Sequence, residues 1–402
     1  MRKINTRSFR LATRSTPREV NRQIVLNLIR EHQPISRAEL ARRMNVRRAS
    51  LTAIVRDLLE SEQVEETGTA IAARGRRPTL LRVRTSGRLA IAVDVRPGRT
   101  QIALADFGGQ VLARDAFPTP HEPSELVAQL AERLATLLKG GSDGGVVIES
   151  CHGIGIVVPG MVDRRSGRVL YAPRLGWRDV QLRDAIEKRT SLPVYVESAP
   201  IACALARLWS LNGSTRTVNN FVYVSVSDGL GVGIVNRGEV LRGETHTAGE
   251  FGHVSIDPNG PQCACGKRGC WEAFTCNSAT IDRYSPNAGK RKSPPTIEEI
   301  VRRAKLEDPA AISALIETGR QVGRGLSAVV SAFNPKRIYV GGEITAAWDL
   351  IEGPIREELR AGTLTDAARA TPVYADANPA EYRLLGAIAL VAAPSFAAHR
   401  VG

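Results

Sequence analysis

Between Thr247 and Glu272 the chain reads TAGEFGHVSIDPNGPQCACGKRGCWE, and no other stretch narrows the possible folds as much. It brings His253, Cys263, Cys265 and Cys270 within eighteen residues, with Gly266 and Gly269 free to bend the backbone between the sulfurs. Three thiolates and one imidazole fill a tetrahedral shell and leave no position for water, so the pattern predicts a structural zinc and not a hydrolytic one. Binding free energy of about 10 to 16 kcal/mol at such sites orders a loop with too few apolar residues to order itself. The alternative is buried cysteines beside a hydrogen-bonded histidine, which the tight C-x-C-G-x-x-G-C spacing disfavours. Cys151, Cys203 and Cys276 read as buried apolar fillers. The set suits a reducing compartment better than a disulfide framework.

AGEFGH, the ten residues from its histidine to C-x-C-G-x-x-G-C, and the following Trp271 and Glu272 resemble the ROK family of sugar kinases and sugar-responsive repressors. The resemblance spans roughly residues 88 to 392 and implies an actin-like ATPase fold, two ribonuclease H-like α/β lobes around a cleft. It further implies that Gly160, Glu250, His253 and Glu272 line a sugar pocket. The chemistry suits that role. Carboxylates accept hydrogen bonds from sugar hydroxyls, and a histidine with one nitrogen on zinc has the other fixed in tautomer and direction.

A chain of 402 residues exceeds what one core usually serves, so two or three domains are expected. No apolar run is long enough to cross a bilayer, and MRKINTRSFR lacks the apolar core of a signal peptide; the expectation is a cytoplasmic protein with no membrane partner. The net charge of +14 is uneven. Residues 1–84 hold 19 Lys+Arg against 8 Asp+Glu, the remainder 36 against 33. A small basic segment ahead of a nearly neutral body is the footprint of a nucleic-acid binder, although a solvated basic surface has the same composition.

Periodicity separates the two. Thr16 with Glu19 and Ser36 with Glu39 read as capping boxes opening helices, the first strengthened by Pro17. Ile24, Val25, Leu28 and Ile29 form one apolar stripe, and Leu40, Ala41 and Met44 another. After a turn at Asn45, a third helix presents Leu51, Ile54, Val55 and Leu58 on one face and Arg47, Arg48, Ser50 and Thr52 on the other. Short β-rich runs at Val64–Thr67 and Leu80–Val83 flank Arg74, Gly75, Arg76, Arg77 and Pro78. The whole, residues 16–84 behind a basic arm at 1–15, reads as a winged helix-turn-helix. Arg47, Arg48, Ser50 and Thr52 are placed at bases and phosphates of double-stranded DNA, and Arg76 and Arg77 at the wing. The resemblance agrees, since ROK repressors carry such a domain and ROK kinases lack it.

From residue 88 to 402 strands alternate with helices: Leu89–Val95, Gln101–Ala105, Gln110–Ala113, helix Ser124–Lys139, Cys151–Val158, Val194–Val196, helix Ile201–Leu208, then Phe221–Val226 and Val232–Val235. Ser285–Pro295 reads as a surface excursion, and the helices around Pro309–Phe333 as candidates for a subunit interface.

Two departures from the family pattern bear on activity. Where family kinases carry D-x-G-G-T-K, this chain has Asp94, Val95, Arg96, Pro97, Gly98, Arg99 and Thr100. Bulk replaces glycine, and Pro97 removes one N–H from the anion cradle, although Arg96 could itself bind phosphate. Where the family has E-N-D, with its aspartate as general base, the chain has Glu197, Ser198 and Ala199. Alanine accepts no proton, and loss of a positioned base typically costs about 10² to 10⁴ in rate. Glu197 reads as a structural carboxylate and Asp228 as part of a turn. The glycine-rich Ser227–Gly233 and Ile338–Glu343 match the family's second phosphate loop and adenosine-contacting strand. Arg174 stands where the family has asparagine, making an anionic sugar a candidate ligand; a surface arginine or an internal ion-pair partner is the alternative.

The sequence therefore predicts no enzyme but a transcriptional regulator, most simply a repressor. It would bind a DNA operator as a homodimer or homotetramer and respond to a sugar or sugar derivative held beside a structural zinc. An active sugar kinase with a DNA-binding arm, and a repressor governed by a protein partner, are the competing classes.

Overall fold

The computed structural model describes residues 18–69, 78–140, 150–209, 218–285, 295–376 and 379–396. The arm at 1–15, Thr16 and Pro17 of the first capping box, the wing residues Arg74, Arg76 and Arg77, and most of the 285–295 excursion lie outside the described residues.

The N-terminal unit is a winged helix. Its helices are α1 (Arg18–His32), α2 (Arg37–Met44) and α3 (Arg48–Glu60). Ser36 caps α2 as its spacing predicts, its hydroxyl accepting the Glu39 N–H at 3.2 Å. Glu39 does not reciprocate, because its carboxylate turns to Arg42 and to Arg43, the latter at 3.0 Å. Asn45 adopts φ 52° and ends α2, after which α3 starts at once. The predicted apolar faces meet in one core: Leu40, Ala41, Met44, Leu51, Ile54, Val55 and Leu58 are all buried. Behind them β2 (Val64–Thr69) and β3 (Thr79–Val83) pair antiparallel as the wing. The two-residue β1 (Ile35–Ser36) joins the other side of β3; a pair of residues carries no periodicity to read.

The first lobe holds β4 (Leu89–Val95), β5 (Thr100–Asp106), β6 (Val111–Phe117), α4 (Pro123–Gly140) and β7 (Cys151–Val158). A small antiparallel meander follows, β8 (Met161–Asp163), β9 (Arg168–Ala172) and β10 (Trp177–Val180), then α5 (Leu182–Thr190), β11 (Val194–Ser198) and α6 (Ala199–Trp209). The main sheet runs β11-β7-β4-β5-β6. The central β4 is buried along its whole length because both faces are covered, which is why it reads as an unbroken apolar run.

The second lobe repeats this plan with β12 (Phe221–Val226), β13 (Leu230–Asn236) and β14 (Glu239–Val240). Helices α7 (Trp271–Thr275), α8 (Asn277–Tyr284), α9 (Ile297–Lys305) and α10 (Pro309–Phe333) come next. The lobe is completed by β15 (Ile338–Gly341), α11 (Trp348–Ala361), α12 (Asp366–Arg369) and β16 (Val373–Ala375), in the order β14-β13-β12-β15-β16. The expected late helices are one 25-residue helix, α10, capped by Asp308 and packed along α11. The last helix, α13 (Pro379–Ala392), returns to the first lobe, lying on β7 and β4 and against α6. No helix among the described residues is long and apolar enough to cross a membrane.

Candidate functional site

The loop after β14 builds the cysteine cluster by backbone pairing. Ser255 bridges Cys270 and Gln262 bridges Arg268, folding the segment into a knuckle. At Gly269, φ is +68° and a Cβ would overlap the Asp257 carbonyl, so only glycine fits between Arg268 and Cys270. The ligand atoms of His253, Cys263, Cys265 and Cys270 all lie within 4.8 Å of one another. Cys263 Sγ is 3.7 Å from His253 Nδ1, and Cys265 Sγ is 3.7 Å from Cys270 Sγ. A tetrahedron with metal–sulfur bonds of about 2.3 Å has edges of about 3.7 Å. Two of the edges thus already have tetrahedral length, and the four side chains are gathered closely enough to hold one metal ion.

His253 joins this cluster to the cleft. Its Nδ1 faces Cys263, while its Nε2 lies 3.9 Å from Glu250 Oε2. Burial, with Glu272 nearby, pushes the Glu250 carboxyl up to about 7, so near neutrality it can donate as well as accept a hydrogen bond. Glu272 is the second residue of α7, which Cys270 precedes; its Oε2 accepts the Leu230 N–H at 2.9 Å, and its Oε1 lies 3.7 Å from Cys263 Sγ. Trp271 anchors the same helix, buried against α10 with its indole N–H donating to the Gln321 carbonyl at 2.8 Å.

Gly160, Glu250, His253 and Glu272 come together in one cleft between the lobes, with about 740 Å³ of free space including its open mouth. Arg96, Pro97, Ala199 and Pro200 line the same cleft. Arg174 also faces it, with Nη2 3.4 Å from Cys276 Sγ and 3.9 Å from Glu272 Oε1; its buried Nε has no partner among the described residues. Arg174 is therefore inside the cleft, not on the outer surface.

The phosphate-loop region is filled from within. Arg96 donates to Asp94 at 2.9 Å and to Glu343 at 2.7 Å, joining the first lobe to the second. Burial works against its charge, but the two carboxylates more than offset this and hold it cationic. On the other side of Asp94, Arg383 of α13 donates at 2.6 Å. No local signal could have revealed Arg383, 289 positions away in sequence. Glu197 is paired with Arg242 at 2.5 Å and buried, the structural role its sequence context suggests. Asp228 sits in the turn between β12 and β13, with Asn277 Nδ2 at 3.5 Å. Ala199 places no acid in the cleft.

On the winged helix, Arg47, Arg48, Ser50 and Thr52 are all exposed at the start of α3. Neighbouring arginines are committed to acids: Arg37 to Glu66, Arg82 to Glu65 and Arg84 to Glu62. Arg47 and Arg48 have no acidic partner among the described residues. Arg76 and Arg77 lie outside the described residues.

The profile of the ROK family matches residues 90–393, and that of the MarR family residues 23–67. The xylose repressor of Bacillus spizizenii is 28% identical over 353 residues, covering 87% of this chain and 88% of that protein. The crystal structure of a ROK family transcriptional regulator, a homologue of the Escherichia coli Mlc protein, superposes with a TM-score of 0.76 at 29% identity, covering 93% of this chain and 96% of that one. A ROK family glucokinase from Streptomyces griseus, in complex with glucose and AMPPNP, superposes at 0.65 with 27% identity over 75% of this chain and 98% of its own. That coverage leaves out a quarter of the chain, whereas the regulator covers nearly all of it. With its profile over three quarters of the length and a MarR-like winged helix in front, the chain belongs to the ROK family.

Proposed function

We propose that the chain is a DNA-binding transcriptional repressor that responds to a sugar or sugar derivative bound between the lobes, and that its ROK domain carries out no phosphoryl transfer. The observation that carries this reading is Arg96. Its guanidinium, tied to Asp94 and Glu343, fills the place where a glycine loop would admit phosphates, while Ala199 leaves no base for a sugar hydroxyl. Such a site can bind a sugar without turning it over. The uncommitted Arg47 and Arg48 would supply the DNA-facing charge, with Ser50 and Thr52 beside them; Arg76 and Arg77 are assigned to the wing from the sequence alone.

Residues 16–84 would form the reading unit and residues 88–402 the sensing unit. The metal would be zinc, which His253, Cys263, Cys265 and Cys270 would hold in a closed shell with a structural role. Bound there it would fix the direction of His253 Nε2, and with it one wall of the pocket made by Gly160, Glu250 and Glu272. The protein would act in the cytoplasm as a homodimer, because one winged helix reads too few bases to pick out an operator.

The test is fluorescence anisotropy on DNA from upstream of the protein's own gene, with xylose, other neutral sugars, sugar phosphates and sugar acids titrated in. Release by one compound supports the sensing reading, and release only by an anionic one assigns Arg174 to its recognition. Binding that no compound alters removes the sugar from the reading and points to a protein partner. An ATP-dependent phosphorylation assay on the same panel is expected to stay at background; turnover would overturn the non-catalytic assignment.

A further inference from the structure

The winged helix does not hang from the body by a free linker. Its core runs without interruption into residues of α6, α13 and the first-lobe sheet, among them Trp209, Phe107 and Ile388. Arg30 of α1 lies over the Trp209 ring, its guanidinium carbon 4.9 Å from the centroid, and the turn Ala393–Phe396 that ends α13 touches α1 as well. The Trp209 indole N–H points to the Phe107 carbonyl at 3.4 Å. Two neighbouring helices therefore both end against the DNA-binding unit.

The same helices both begin in the cleft. Ala199 and Pro200 open α6 and line it, and Arg383, early in α13, lines it while holding Asp94. The 11 residues of α6 span about 16 Å from one site to the other. Packing along the way leaves no slack. A Cβ on Gly386 of α13 would overlap the Ala202 carbonyl of α6, one on Gly233 of β13 the Pro200 carbonyl, and one on Gly155 of β7 the Ala387 carbonyl. So α6 is seated on the second lobe, α13 on the first, and the two on each other. When the lobes move about the cleft, close-packed surfaces of this kind pass the displacement on instead of absorbing it.

We propose that α6 and α13 form a paired strut that carries lobe movement from the cleft to the winged helix, with Trp209 and Arg30 as the positioning residues at its delivery end. The use of the strut in regulation rests on the repressor reading above; the mechanical link does not.

The test perturbs the cleft without any effector. In the full chain, Arg96→Ala removes the bridge between Asp94 and Glu343, and hydrogen exchange is followed across α1. The strut predicts a severalfold change in α1 exchange on adding R96A to the otherwise native chain. In an Arg30→Gln or Trp209→Leu background, R96A should still change exchange in α6 but no longer in α1. Trp209→Phe keeps an aromatic face under Arg30 and should restore the response, which a merely destabilised fold would not. An α1 that ignores R96A in the native background, or responds equally with Arg30 and Trp209 replaced, overturns the proposal. Operator binding adds a second readout: R30Q should bind the effector and the DNA as the native chain does, yet lose the effector's influence on DNA affinity. If no sugar influences the native chain, the sugar-sensing reading fails while the exchange experiment still decides the strut.

Discussion

In the non-catalytic reading proposed above, Arg96 and Ala199 are the two departures that bear directly on phosphoryl transfer. Restoring one feature leaves the other in place, so Ala199→Asp is expected to give no ATP-dependent phosphorylation, because Arg96 still occupies the phosphate approach. Product formation by that single variant would show that Arg96 is no obstacle. On the winged helix the residue scale is set by commitment of charge. Replacing Arg47 or Arg48 by alanine should weaken operator binding by about 1 to 3 kcal/mol each, measured by anisotropy, while sugar affinity measured by calorimetry stays unchanged. In the cysteine cluster, Cys270→Ser should lower bound zinc from about one per chain to well below that by metal analysis. Full zinc content in that variant would assign the metal elsewhere.

At the scale of elements, α3 is held by four buried side chains on one face and exposes Arg48, Ser50 and Thr52 on the other. Leu51→Ala is expected to cost about 2 to 5 kcal/mol, since the residue is fully buried in the winged-helix core. Because that core continues into α6 and α13, thermal unfolding of the variant should perturb the sensing unit too, and wholly independent transitions would contradict the shared core. The knuckle differs from α3 in that the proposed metal, and not apolar burial, would hold it. Cys263 Sγ lies 3.7 Å from Glu272 Oε1, so metal loss would disturb the cleft wall as well as the loop.

For the whole molecule the governing quantity is electrostatic. If a dimer uses Arg47, Arg48, Arg76 and Arg77 from each protomer on phosphates, log Kd plotted against log salt concentration should have a slope of about 7 in magnitude. The double variant R47A/R48A should reduce it by about 4. A slope that does not change would move those arginines off the phosphates. Much of this organisation was legible beforehand, for a reason that differs from part to part. The helices of the DNA-binding unit were readable because apolar residues at helical spacing must share one buried face, and Ser36 and Asn45 mark their ends by local hydrogen bonding and backbone geometry. The central strands β4, β7 and β12 were readable because burial on both faces demands unbroken apolar runs. The cysteine–histidine cluster was readable because its four side chains are close in sequence and their spacing is one that metal coordination demands. By itself the sequence thus determined the two kinds of unit, the ligand set, and the loss of glycine and base from the cleft. Only the tertiary structure decided that Arg96 bridges the lobes, that Arg383 reaches Asp94, that Arg174 turns into the cleft, and that Trp209 meets Arg30. Each of these joins residues far apart in the chain, and such pairings depend on how sheets and helices pack, which no local periodicity encodes.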